Sequence, residues 1–308
     1  MYFGKIAATV LASAVMELPW LVLPTSPTSV ALLARDAQAQ SASVSRMPLA
    51  PQPEMNDYTN AVGQTDPAAK EAVINAFLTK YPYSHAREDL LEQLMAVYVQ
   101  ESEMDKVTET AARILSIDPK NLRALFYITY AAEEKALSAS PTEAQSLLDD
   151  AASEAMIALV APSKPDYMSE FEFEKLRAVT SPNFYSAIAV DDAAKRDYSG
   201  AIYNFILELK APVNVRATES GMELDDTYRL AQAYENQTPA DLKKAAWFYT
   251  RAAQYAPAKT KAQWEAKAES TYLEYHGGMD GYPEIQALAR TNLFPPPGYS
   301  PSRAIASR

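Results

Sequence analysis

The sequence predicts an all-α protein, on three observations. Helix-boundary residues punctuate the chain from residue 58 onward, apolar residues between them recur at the helical period, and strand-like alternation is nearly absent. Only 8 glycines in 308 residues also argue against a turn-rich β fold.

The first 39 residues have the order of an export signal. Lys5 supplies a positive n-region, "IAATVLASAVM" an apolar core, and "AQA" at 37–39 a small-x-small site, so cleavage is expected after Ala39. Glu17, Pro19 and Pro24 interrupt the apolar stretch, which keeps a short uncleaved anchor open as the alternative. Nothing later approaches the ~20 apolar residues that span a bilayer, so the mature chain is expected to carry no stable membrane span and to be periplasmic or extracellular. There is no cysteine, which removes disulfides, thiolate metal sites, Cys nucleophiles and a lipid-anchoring Cys. Residues 40–57 are Ser- and Pro-rich without an apolar period and read as a flexible linker.

A helical domain is expected over residues 58–292. Asp66-Pro67 is an N-cap followed by proline at the first helical position, Ser140 with Glu143 forms a capping box, and "TPAD" at 238–241 repeats the device. Gly277 and Gly278 can close a helix in the left-handed conformation. These marks delimit helices of about 12 to 18 residues joined by short links. Leu91, Leu94 and Tyr98 share one helix face, as do Leu125, Ile128 and Ala132, and Ala201, Phe205 and Leu209. "EFEFEK" at 170–175 is read as a helix start rather than a strand, while "KPDYMSEFEFEKLRAVTSPN" and "APVNVRATESGMELDD" are read as long irregular inserts. A last helix is expected near Pro283 to Arg290. The Pro-rich tail, 293–308, can lie as a polyproline strand across the final helices.

In "KKAAWFYTRAAQYAP", Ala245 and Ala252 are small residues for a close helix crossing, Tyr249 fills the space beside it, and Pro257 ends the helix. The preceding helix, "DDTYRLAQAY", offers Leu230, Ala231 and Tyr234 as interior positions. This spacing resembles the tetratricopeptide repeat, a helical hairpin of about 34 residues that cannot bury its own apolar faces and must stack on neighbours. Leu91, Leu94, Tyr98, Leu115 and Pro119 fit a second unit. The resemblance implies a right-handed α-solenoid of helix-turn-helix repeats with irregular inserts. Phe77, Tyr81, Pro82 and Ser84 further resemble the F-x-x-x-Y-P-x-S segment of helical-repeat proteins of the bacterial envelope, with Ser84 as a cap for the next helix. That resemblance implies an exported scaffold whose partner is a protein or peptide in the cell envelope.

Charge and motif content narrow the function classes. With 39 acidic against 28 basic residues and no Lys/Arg cluster, nucleic acid is not an expected partner. His85 and His276 are too few and too isolated for a metal site and are read as structural. No phosphate-binding loop, nucleophile elbow, dinucleotide or zinc-protease motif occurs, so neither catalysis nor a cofactor is expected. The doublets Asp149-Asp150, Asp191-Asp192 and Asp225-Asp226 lack calcium-loop spacing and are read as solvated helix ends or loops. Nineteen tyrosines exceed what the repeat positions use. Tyr127, Tyr130, Tyr203 and Tyr272 are the candidates for a groove that binds a peptide, or alternatively a glycan or envelope polymer. A carboxylate-dependent hydrolase remains a further alternative for which the sequence nominates no pair of acids.

Overall fold

A computed structural model describes residues 51–211 and 218–300; the expected signal segment, residues 40–50 of the expected linker and residues 301–308 of the tail lie outside the described residues. The described residues form twelve helices and no strand: α1 (Gln52–Gly63), α2 (Pro67–Lys80), α3 (Arg87–Gln100), α4 (Met104–Leu115), α5 (Leu122–Ala136), α6 (Pro141–Val160), α7 (Glu170–Ala194), α8 (Tyr198–Lys210), α9 (Gly221–Asn236), α10 (Leu242–Tyr255), α11 (Ala258–His276) and α12 (Tyr282–Thr291). The chain divides into two compact units inside α7, between Phe184 and Tyr185. Within each unit, helices pack mainly on their chain neighbours, as in a stacked helical array.

Local chemistry explains most boundaries. The side chain of Asp66 accepts the amide of Ala69, and that of Ser140 accepts the amide of Glu143, satisfying N–H groups that a helix start leaves unpaired. Gly277 takes φ 82° at the end of α11, a conformation that a Cβ would disfavour. At α10 the expected Thr238 cap is replaced by Asp241, whose carboxylate accepts the amide of Lys244; the helix starts at Leu242, three residues beyond Pro239.

Four expectations are corrected. Helix α1 begins at Gln52, inside the stretch read as linker, because Tyr58 is buried and the carboxylate of Asp57 accepts from Lys80 Nζ at 2.7 Å and Tyr81 Oη at 2.8 Å. These contacts order a segment whose own sequence has no helical period. The first presumed insert is mostly α7, which contains Pro182; the hydroxyls of Thr180 and Ser181 donate to the carbonyls of Leu176 and Arg177 in the turn that the proline interrupts. The second insert becomes helix from Gly221, while its residues 212–217 lie outside the described residues. Ser84 does not cap α3: its hydroxyl accepts the amide of Ala86 in the preceding turn.

In the first unit, α3 is buried around most of its circumference, with Leu90, Leu91, Leu94, Met95 and Tyr98 in contact with the core. In the second unit, α10 is buried from Ala245 to Ala253 without a break and lies between α9, α11 and α12. Ala245, Tyr249 and Ala252 are all fully buried in it. Pro257 precedes α11 as its N-cap residue. The tail folds onto this core. Trp247 Nε1 donates to the carbonyl of Leu293 at 3.0 Å, Tyr299 packs edge-on against Trp247, and Phe294 against Phe248.

Ala252→Leu inserts three carbon atoms at a fully buried core position, so it is expected to destabilise the protein by about 1–3 kcal/mol. Urea denaturation followed by circular dichroism checks this; an unchanged midpoint would show that the position is not close-packed.

Candidate functional site

The four groove tyrosines do not share a surface. Tyr127 and Tyr130 lie on α5 inside the first unit, where Phe126 packs against both rings at 5.2 and 6.5 Å. Tyr272, on α11 in the second unit, is fully buried; it donates to the carbonyl of Asp280 at 2.6 Å and stacks on His276. Only Tyr203 of the four is accessible, at 65%. The three buried rings are therefore core residues, because the alanine-rich helix crossings leave spaces that a ring fills. His276 also has a structural setting, with Nδ1 3.2 Å from the carbonyl of Gly278.

The richest polar constellation is one the sequence reading passed over. Glu88, Asp89 and Glu92 occupy the first two turns of α3, and Asp89 and Glu92 are buried. Asn121, the N-cap of α5, does two things at once. Its Oδ1 accepts the amide of Ala124, while Nδ2 donates to Glu88 Oε1 and Glu92 Oε1, each at 2.8 Å. Arg123 Nη1 pairs with Glu92 Oε2 at 2.5 Å, and Tyr58 Oη donates to Asp89 Oδ2 at 2.6 Å. Gln93 Nε2 lies 3.3 Å from both oxygens of Asp89.

Three acids with one arginine leave surplus negative charge in a place with little water. Burial pushes Glu88 up to about 7, against the hydrogen bond from Asn121, and raises Asp89 against its bonds from Tyr58 and Gln93. Tyr167, from the segment after α6, is raised well above the usual phenol range by burial and by the same three carboxylates. A carboxyl that titrates near neutrality has the property a general acid or base needs. Here its partners are the protein's own side chains, and the bonds run from α1 and α5 to α3, so the cluster fastens three helices together. The signal in the sequence was "REDLLEQL", three acids within five residues of an otherwise apolar helix.

Asp226 is the counterpart in the second unit. It is fully buried and accepts from Ser186 Oγ and Arg229 Nη1, each at 2.6 Å. Asp191 is also buried and pairs with Lys195. The reading of these doublets as solvated is thus corrected for Asp191 and Asp226, while Asp149 and Asp150 are exposed.

Two further features lie at the surface. On α6, Leu148, Ala151, Ala152, Ala155 and Ala158 are buried, and the opposite side of its last turns exposes Met156 (56%), Ile157 and Val160 (80%). A cleft of about 160 Å³ lies between the end of α2, the start of α3 and the last turn of α4. Among the described residues, no group of three or more His, Asp or Glu side chains is arranged to hold a metal ion, and no helix is long and apolar enough to cross a membrane. No protein-family model, curated protein or solved structure matches this chain.

The Glu88 titration gives a signed expectation. Its folded value, about 7, is above its ordinary value of 4.5, so its favourable contribution is complete below pH 4.5 and is lost as the pH rises through about 7. Glu88→Gln keeps an acceptor for Asn121 but never ionises. The variant should melt higher than the parent at pH 8 and no higher at pH 4.5. A difference in melting temperature that is the same at both values would contradict the buried titration.

Proposed function

We propose that this chain is an exported scaffold of tetratricopeptide-like helical hairpins that binds another protein in the periplasm or cell envelope and catalyses no reaction of its own. The observation that carries the reading is the exposed Met156, Ile157 and Val160 face at the end of α6, in a chain with a formal net charge of −11. Apolar side chains held in water forgo about 25 cal/mol per Å² of burial, and a contiguous set on a rigid helix is a common mark of a protein interface. Methionine suits such a surface because its flexible thioether adapts to a partner. The hairpin spacing around Ala245, Tyr249 and Ala252 and the stacking of neighbouring helices support the repeat architecture. Support for a glycan-binding alternative is reduced to Tyr203, since the other three candidate tyrosines are buried.

In-cell crosslinking of the tagged protein followed by mass spectrometry tests the reading. One dominant envelope protein is expected, with capture lost in Met156→Glu and in Val160→Glu while circular dichroism stays unchanged. Equal capture by both variants would remove α6 as the binding face, and no saturable protein partner would remove the scaffold reading. Export has its own check. The N-terminus of the protein recovered from the periplasmic fraction is expected to be Gln40, and an intact Met1 would favour the uncleaved anchor.

A further inference from the structure

We infer that the cleft between α2, α3 and α4 binds an oxyanion, a carboxylate or phosphate group carried on a small apolar body. Its lining is Leu78, Pro82, Arg87, Leu91, Arg113 and Ser116. The inference does not depend on the scaffold reading or on the α6 face.

The arginines carry it. Arg123 pairs with Glu92, Arg177 with Glu174 and Arg229 with Asp226. Arg251 pairs with Glu219 and donates to the carbonyls of Ala289 and Arg290; Arg290 itself donates to Gln254. Arg196 is engaged as well. Among the described residues, Arg87 and Arg113 are the two whose guanidinium groups make no hydrogen bond or ion pair, and both line this one cleft. In a chain with 39 acids to 28 bases, a guanidinium has more carboxylates to choose from than competitors for them. Three acids of these helices have other partners: Glu88 accepts from Asn121, Glu71 from Tyr98, and Glu103 pairs with Lys106, while Glu109, four residues before Arg113 on α4, makes no ion pair with it. Arg87 also sits in the first turn of α3, where the helix dipole disfavours a cation, so its position is not explained by the stability of its own helix.

The shape and chemistry of the cleft limit the ligand. Guanidinium groups present planar, paired N–H donors that match two oxygens of a carboxylate or phosphate, and they stay charged at any physiological pH. The Ser116 hydroxyl is committed to the carbonyl of Arg113, which leaves the two arginines as the donors. Leu78, Pro82 and Leu91 supply an apolar wall, so a bare ion would leave part of the cleft unused. At roughly 30 Å³ per water, 160 Å³ corresponds to about five waters, enough for an acid with a short branched chain or a small phosphomonoester. Ligands of nucleotide size belong to larger pockets, of about 300 Å³ or more.

Isothermal titration of the full mature chain with isovalerate, acetate and inorganic phosphate, at ionic strength matched with chloride, tests the site. Saturable binding is expected, tighter for isovalerate than for acetate, and weakened about tenfold or more in Arg87→Gln and in Arg113→Gln. Arg177→Gln, which removes an exposed arginine outside the cleft, should bind like the parent. Tighter binding of phosphate than of isovalerate would assign the group as phosphate; the reverse order would assign it as carboxylate. The proposal is overturned if neither anion binds saturably, or if either cleft variant binds as the parent does. Should the Gln variants fail to fold, Arg87→Lys keeps the charge and loses the fork, and undiminished binding by that variant would also overturn it.

Discussion

A helix buried around most or all of its circumference constrains everything around it, and each unit of this protein contains one. Along α10, Ala245 to Ala253 are all buried, and along α3 burial is unbroken from Asp89 to Met95. Such a helix cannot be amphipathic in the ordinary sense, since it has little or no solvent face on which to place polar residues. Most polar groups it carries must find partners inside the protein, because an unpaired buried polar atom costs on the order of 1–3 kcal/mol, and Gln93 Oε1 on α3 and Arg251 Nε on α10 are the exceptions on these two helices. The polar residues of these two helices therefore decide which other segments are held close.

On the buried stretch of α10 Thr250 donates back to the carbonyl of Ala246, and the charged residue is Arg251, with no accessible surface. Its Nη1 donates to the carbonyls of Ala289 and Arg290, two of the groups that the end of α12 leaves unpaired, and its guanidinium stacks on the ring of Tyr255 at 4.4 Å. The final helix is thereby tied to the central one, and the Trp247 bond to Leu293 ties the tail two residues further on. On α3 the polarity is reversed. The acids Asp89 and Glu92 draw Tyr58 from α1 and Asn121 and Arg123 from the start of α5. In both units segments separated by 29 or more residues are joined through a polar atom in the core. Packing alone would tolerate small shifts at these places; hydrogen-bond geometry tolerates far less.

This division of labour explains what the sequence revealed. Boundaries set by residues within one turn were legible: Asp66, Ser140 and Gly277 cap as their types dictate, and Ala201, Phe205 and Leu209 form the buried stripe of α8. Of the expected tail, the described residues Leu293, Phe294 and Tyr299 lie against Trp247 and Phe248. Features set by contacts across the chain were not legible. Helix α1 exists in a Pro-rich stretch because Tyr58 is buried against Phe77, with Lys80 and Tyr81, more than twenty residues away, binding Asp57 beside it. On α5 the expected face of Leu125, Ile128 and Ala132 is only partly right: Leu125 is buried, Ile128 and Ala132 are half-exposed, and Leu122, Phe126 and Thr129 are buried as well. A helix covered on several sides has no single stripe for a periodicity argument to find. The same limit hid the α3 cluster and placed Tyr127 and Tyr130 at a surface they do not reach.

The surplus of tyrosine has a common physical origin with the surplus of acid. With 39 carboxylates against 28 cationic side chains, carboxylates that pack between helices have room for a neutral donor as well as a cation. The phenol is the one large apolar side chain that fills a core space and still carries an O–H at its far end. Tyr58 donates to Asp89 between α1 and α3, Tyr98 to Glu71 between α3 and α2, and Tyr249 to Glu235 between α10 and α9, at 2.6 to 2.8 Å. The pairing reinforces itself. Burial and the adjacent Glu71 push Tyr98 up to about 12, and burial together with Glu235 raises Tyr249 further, so each phenol keeps the proton it donates. An arginine or lysine in these places would bring a second charge to be stripped of water, whereas the phenol needs only its hydroxyl desolvated. Tyrosine at these places works beside lysine, since Lys267 also pairs with Glu235 and Lys106 lies 4.0 Å from Glu71, and its abundance belongs first to the architecture of the core.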